Sequence, residues 1–471
     1  MQTNFLNTDT ICAIATPHGM GAIATVRVSG AKAFPIVAAL FQHRGKFLEI
    51  SEIVSHKAYH GHLINKGELL DEVLVTFFKA PHSFTGEDSA EISVHGSVFV
   101  QQKLLQVLIV NGCRMAEAGE FTRRAFVNGK FDLAQAEAIA DLISSESEAS
   151  HRVAINQLRG GFSKELQVLR SKLLEMTSLM ELELDFSEED VEFADRSQLK
   201  ALLQEALDKV NRLKDSFRLG NAIKNGVPVA IVGQTNTGKS TLLNALLGED
   251  RAIVSDIAGT TRDTIEETLN INGILFRFID TAGLRETEET IEKIGIERSY
   301  RKIAEATVVI GMLDATKDAE NVLLAAHEIL KRIDLEHQQL ILCINKVDTL
   351  NDQGEALLGR LRTDLDNDEI MVICLSAKHK FGLNDLYNTL KHSQPLSYPD
   401  VTLVTNVRHY EALLHASDSL GQVQQGLEMN IPTDLVSQDL REAIHYLGTI
   451  TGEITTDEVL GSIFSRFCIG K

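Results

Sequence analysis

Residues 229–247 run V-A-I-V-G-Q-T-N-T-G-K-S-T-L-L-N-A-L-L: an apolar stretch, a glycine-rich loop and a helical stretch, in that order. The loop from Gly233 to Ser240 matches G-x-x-x-x-G-K-[ST], a pattern that works only where a strand turns into a helix N-terminus. It commits this part of the chain to a phosphate-binding α/β sheet. Phosphate oxygens carry dense negative charge. Asn236, Thr237, Gly238 and Thr241 offer loop and helix N–H groups, Lys239 offers a catalytic ammonium, and Ser240 offers a hydroxyl to Mg²⁺.

The apolar runs VPVAIV, ILFRFID, TVVIGMLDA, LILCINKVD and MVICLSAK alternate with amphipathic helices, so a mostly parallel, doubly wound sheet is expected over 222–385. Asp280, Thr281, Ala282 and Gly283 end one strand, where a carboxylate reaches the Mg²⁺ shell and a glycine N–H faces a γ-phosphate. Asn345-Lys346-Val-Asp348 ends another strand, and Ser376-Ala377-Lys378 follows a third. A buried Asp348 carboxylate accepts from guanine N1–H and the 2-amino group, whereas adenine has an acceptor at N1 and lacks that amine. GTP is the expected nucleotide. Gly259-Thr260-Thr261-Arg-Asp lies where a first switch loop belongs, with Thr261 placed to complete the Mg²⁺ shell. Leu284 stands where Ras-type proteins carry the glutamine that orients water, which leaves Glu286, Glu288, Glu289 and Glu292 as candidates for that task.

A chain of 471 residues exceeds one core, and 44% apolar with 24% charged residues is ordinary globular composition. Short strands with helices at 31–41 and 98–110 predict a mixed sheet domain over 1–118, including a hairpin around Asn65-Lys66-Gly67. Helical segments follow over 119–221 and return over 386–471, so the α/β domain reads as an insertion. Leu166, Leu169, Leu173, Met176 and Met180 share one helix face, continued by Leu199, Leu203, Val210 and Phe217. The acid-rich stretch Glu181–Asp195 is expected to be solvated.

With 46 Lys+Arg against 66 Asp+Glu, the net charge of −20 excludes nucleic-acid coating by bulk charge and requires a local patch. Arg114, Arg123, Arg124 and Lys130 are the candidates. Five scattered cysteines without C-x-x-C encode neither a disulfide framework nor a thiolate zinc site, and His56, His60 and His62 lack a fourth-ligand spacing. No basic leader or spanning run is present, so a cytoplasmic protein without membrane partners is expected.

The P-loop, GTTRD, DTAG and NKVD, together with TPHGMGAIATVRVSG, SFTGED, GEFTRRAFVNGKFDLAQAEAIADLI and the terminal FCIGK, resemble the MnmE (TrmE) family of tRNA-modification GTPases along essentially the whole chain. That resemblance implies a folate-binding N-terminal domain that forms a homodimer, a discontinuous helical domain and an inserted Ras-like G domain. It further implies a FAD-containing MnmG-type partner in a heterotetramer, acting on the wobble uridine of tRNA. Carried over by position, Asn236, Ser255, Ile257 and Thr260 would hold K⁺, with Asp256, Ala258 and Gly259 beside them against GTP, and Glu292 would position water. Arg27, Glu91, Lys130 and Lys471 would bind a reduced folate, 5-formyl- or 5,10-methylene-tetrahydrofolate. Met20 departs from the family's usual arginine in the first turn. A ribosome-assembly or signalling GTPase would share the G motifs but would need neither the folate positions nor the CIGK tail.

Overall fold

The computed structural model describes residues 9–185, 196–249, 267–271, 273–279, 306–349, 353–365, 367, 370–392, 402–429, 431–465, 467 and 469–470. The chain divides into two compact units. Met1–Ile143, Ile155–Asn211 and Glu411–Lys471 form one, and Ser144–Ala154 with Arg212–Tyr410 form the other. No helix among the described residues is long and apolar enough to cross a membrane.

In the first unit, β1 (Ile11–Ile14), β2 (Ile23–Ser29), β3 (Phe41–His43), β4 (Lys46–Phe47), β5 (Ala58–Asn65), β6 (Glu68–Phe78), β7 (Ser89–His95) and β8 (Arg114–Met115) build one sheet. Its order is β4-β3-β5-β6-β7-β2-β1-β8. Period-two alternation decides its faces: β2 buries Ala24, Val26 and Val28 and leaves Thr25 and Arg27 on the opposite face. The helices α1 (Ala33–Leu40) and α2 (Val98–Val110) belong to the same layer, and Leu104 and Leu108 of α2 join Val26, Val75 and Ile92 in the core. The predicted hairpin joins β5 to β6. Lys66 (φ 51°) and Gly67 (φ 85°) are both left-handed, the geometry a two-residue hairpin turn needs.

Helices α3 (Glu120–Val127), α4 (Leu133–Ile143), α5 (Glu148–Leu158), α6 (Gly161–Asp185) and α7 (Arg196–Asp215) follow. The apolar stripe of α6 is buried from Leu166 to Met180, and α6 packs along the helix Thr433–Thr451, which buries Val436, Leu440, Ala443, Leu447 and Ile450. Both stripes follow three- and four-residue spacing, so segments more than 250 residues apart share one seam. Leu199, Leu203 and Val210 are buried as expected, but Phe217 instead stacks on Tyr410 at 4.6 Å within the second unit. Residues 186–195 of the acid-rich stretch lie outside the described residues.

The second unit includes α8 (Phe217–Asn225), β9 (Val227–Gly233), α9 (Lys239–Glu249), β10 (Glu267–Ile271), β11 (Ile274–Phe278), β12 (Val308–Asp314), α10 (Ala319–Leu330), β13 (Gln339–Asn345), α11 (Gln353–Leu365), β14 (Met371–Cys374) and α12 (Leu383–His392). The sheet order is β10-β11-β9-β12-β13-β14, parallel throughout except for β10 against β11. Strand β13 is apolar and buried along nearly its whole length, as a strand covered on both faces must be. The limits expected at 222 and 385 both fall inside helices. Ala222 of α8, and Leu386 and Leu390 of α12, sit in the sheet's own core. An amphipathic pattern marks a helix without saying which core its face joins.

Candidate functional site

Three predicted loops leave the carboxyl ends of β9, β13 and β14, where open α/β sheets bind ligands. Asn345 ties them together. Its Nδ2 donates to the Thr237 carbonyl at 2.8 Å, and its Oδ1 accepts from Ala377 N–H at 2.9 Å. The P-loop takes left-handed backbone at Asn236 (φ 63°) and Gly238 (φ 97°) before α9 starts at Lys239. Lys239 Nζ donates to the Gly233 and Gln234 carbonyls at 2.9 and 2.7 Å, and burial pushes its ammonium below the usual lysine range. Ser240 and Thr241 lie in the first turn of α9, where helix N–H groups have no helical acceptor.

Lys346 is left-handed (φ 67°), and its ammonium pairs with Asp314 at 2.7 Å. Burial raises the Asp314 carboxyl, but hydrogen bonds from Lys346 and Thr316 outweigh that and hold it below the usual range. Asp314 ends β12 and was legible only as the last residue of an apolar run. Asp348 is exposed, contrary to the expected buried carboxylate. The Ser376 hydroxyl, with His379 at 3.6 Å and Lys378 nearby, holds its carboxyl below the usual range, so it is ionised at neutral pH. Ser255, Asp256, Ile257, Ala258, Gly259, Thr260, Thr261, Asp280, Thr281, Ala282, Gly283 and Glu292 lie outside the described residues.

In the first unit, Arg27 of β2 and Glu91 of β7 are direct cross-strand partners on the face turned away from the main core. Arg27 Nε and Nη2 both donate to Glu91 Oε1, at 3.0 and 2.9 Å. Lys130 Nζ donates to the Pro81 carbonyl at 2.9 Å. Lys471 and Cys468 lie outside the described residues, but the end of the chain returns to this sheet. Ile469 bridges to Ala118, and a Cβ on Gly470 would fall 2.1 Å from the Ile14 carbonyl, so only glycine fits that approach. Ile14 ends β1, the strand next to Arg27.

Of the basic cluster expected at Arg114, Arg123, Arg124 and Lys130, the three arginines are each paired with acids. Arg114 meets Glu120 and Asp9, each at 2.6 Å; Arg124 meets Glu120 at 2.9 Å and Glu87 at 3.2 Å; Arg123 meets Glu117 at 3.3 Å. Glu117 and Glu120 lie in the same stretch of chain, whereas Asp9 and Glu87 come from distant segments that the local run of arginines does not disclose. Glu120 is fully buried; burial raises its carboxyl, but Arg114, the Glu117 N–H and Arg124 outweigh this and hold it below the usual range. Of the histidines, His60 pairs with Glu72 at 2.9 Å.

Two family models match. One, described as GTP-binding protein TrmE N-terminus, covers residues 10–130, and one described as MnmE helical domain covers residues 133–468. A tRNA modification GTPase MnmE of Bacteroides fragilis is 54% identical over 469 residues, spanning 99% of this chain and 100% of that one. The chain belongs to the MnmE family. A second MnmE, from Flavobacterium johnsoniae, is 51% identical over 476 residues, again 99% of this chain and all of that one. A solved structure, a single-residue variant of Aquifex aeolicus Era bound to GDP·AlF4⁻, matches at 29% identity over 41% of this chain and 66% of that one, with a TM-score of 0.28. MnmE membership spans both units, so the P-loop sheet and the N-terminal sheet belong to one enzyme. Phe84 and Phe121 flank Arg27 and went unnoticed in the sequence, because an aromatic there reads as ordinary core.

Proposed function

We propose that this chain is a potassium-activated GTPase that works with a FAD-containing MnmG-type partner on tRNA. Together they install an aminomethyl or carboxymethylaminomethyl group at C5 of the wobble uridine, with a reduced folate as one-carbon source. The observation that carries the GTP reading is the Asn345 tie, which joins the P-loop to the 376–378 loop through two hydrogen bonds of 2.8 and 2.9 Å. On this reading Lys239 neutralises β- and γ-phosphate charge, and an anion beside its ammonium offsets the burial that depresses it. Ser240 and Thr261 ligate Mg²⁺, and Asp348 accepts from the two guanine donors. Asn236, Ser255, Ile257 and Thr260 would hold K⁺, which supplies positive charge where other GTPases use an arginine finger. Glu292 would orient the attacking water.

The residues of the N-terminal sheet suit a folate. Glu91 Oε2 has no protein partner among the described residues, so the half-buried carboxylate retains an acceptor for a pterin amide edge. Lys130 and Lys471 would meet the glutamate carboxylates, and the approach of Gly470 to Ile14 supports a tail that contributes. The protein would act in the cytoplasm as a homodimer within a heterotetramer. Exchanging K⁺ for Na⁺ at equal ionic strength should slow GTP turnover by more than about 10-fold while leaving GTP affinity nearly unchanged. Equal turnover in both salts would contradict the potassium role.

A further inference from the structure

We infer that Phe84, together with Phe121, is a positioning clamp that fixes Arg27 so that Glu91 presents one carboxylate oxygen to the donor edge of a bound reduced folate. The inference rests on the folate reading above and gives Arg27, beside any contact of its own with the ligand, the task of holding Glu91. Arg27 spends two N–H groups on the single oxygen Glu91 Oε1. Its guanidinium carbon lies 4.9 Å from the Phe84 ring centre and 5.6 Å from that of Phe121. A planar cation lying against aromatic rings and held in plane by a carboxylate has little freedom left.

The clamp is built before any ligand arrives. Phe121 is fully buried with Ile11, Ala13 and Ala116. Phe84 rides on the loop after β6, which three anchors hold. Arg124 reaches Glu87 at 3.2 Å, Ser29 Oγ donates to Glu87 Oε2 at 2.8 Å, and Asn128 Nδ2 donates to the Thr85 carbonyl at 2.7 Å. Without the Phe84 ring, Arg27 gains rotational freedom and Glu91 loses its fixed direction. A ligand that donates to Glu91 then binds less well, whereas one lacking those donors is indifferent.

Two ligands separate this from a general packing role: 5-formyltetrahydrofolate, and its analogue with the 2-amino group replaced by methyl, each titrated calorimetrically into the full-length protein. The wild type should prefer the parent by on the order of 100-fold, since a carboxylate left facing a methyl is unpaired. Phe84→Leu should weaken the parent by about 10-fold and leave the analogue unchanged, while Phe84→Trp, which keeps a ring, should retain most of the discrimination. Glu91→Gln should lose it. Equal weakening of both ligands by Phe84→Leu, or unaltered discrimination, would overturn the clamp. Failure of the wild type to bind either compound would overturn the folate reading itself. Should Phe84→Leu prove unfolded by its thermal midpoint, Arg27→Lys keeps the charge but not two donors on one oxygen, and discrimination like the wild type's would overturn the clamp equally.

Discussion

Gly238 shows how tightly single residues are specified around the nucleotide loops. A Cβ there would fall 2.2 Å from Asn345 Nδ2, and φ is 97°, so the second P-loop glycine is required by the asparagine of another loop as well as by its own backbone. Asp348 offers the sharpest residue-scale prediction. Replacing Asp348 with Asn turns an acceptor into a group that can donate, so preference should move from guanosine toward xanthosine triphosphate by on the order of 10- to 100-fold in competition titrations. Its depressed carboxyl keeps it ionised, so the wild-type preference for GTP over ATP should stay flat between about pH 5 and 8. Equal ATP and GTP affinity in the unmutated protein contradicts the assignment. These loops were legible because each motif combines a residue type with a position at a strand end. Asp314 was not, since its partner Lys346 lies 32 residues on and nothing local marks the pair.

At the scale of elements, α3 joins the N-terminal sheet to its surroundings through buried charge. Glu120 takes hydrogen bonds from Arg114, Arg124 and the Glu117 N–H. Removing one partner of such a cluster strands the others, so Glu120→Gln should cost about 3 to 5 kcal/mol in urea unfolding at pH 7. The folded carboxyl lies below its unfolded value of about 4.3, so this stabilisation is present above that pH and is lost as pH falls through the folded value. The wild-type and variant curves should therefore converge in acid, and a gap unchanged at pH 3 would contradict the pairing. The tail is the other element with a defined test. Deleting 468–471 should abolish tRNA modification and weaken folate binding while largely sparing GTP turnover, because Gly470 packs on Ile14 of the N-terminal sheet. Equal folate affinity would retire the tail's role. Helix α2 matches the helix expected over 98–110 and the hairpin turn falls within the expected Asn65-Lys66-Gly67, whereas no strand was expected at the antiparallel edge strand β10.

For the whole molecule, the insertion of an α/β unit between two helical stretches was visible as a change of period from 3.6 to apolar runs and back. Which stretches share a core was not visible. The seam between α6 and the helix Thr433–Thr451 joins the two sides of the insertion, and α8 and α12 side with the sheet although their patterns match their helical neighbours. Net charge was informative in a different way. A protein at −20 must confine any RNA contact, and with Arg114, Arg123 and Arg124 consumed by acids, the arginines of α3 contribute little free positive charge to such a contact. On the proposed function, the flavoprotein partner would share that contact. The most direct test is nucleoside mass spectrometry of tRNA incubated with the full chain, the flavoprotein partner, GTP, K⁺ and a reduced folate. An aminomethyl or carboxymethylaminomethyl group should appear at C5 of the wobble uridine and be lost when GTP or the folate is withheld; unmodified uridine in the complete mixture would contradict the proposed function.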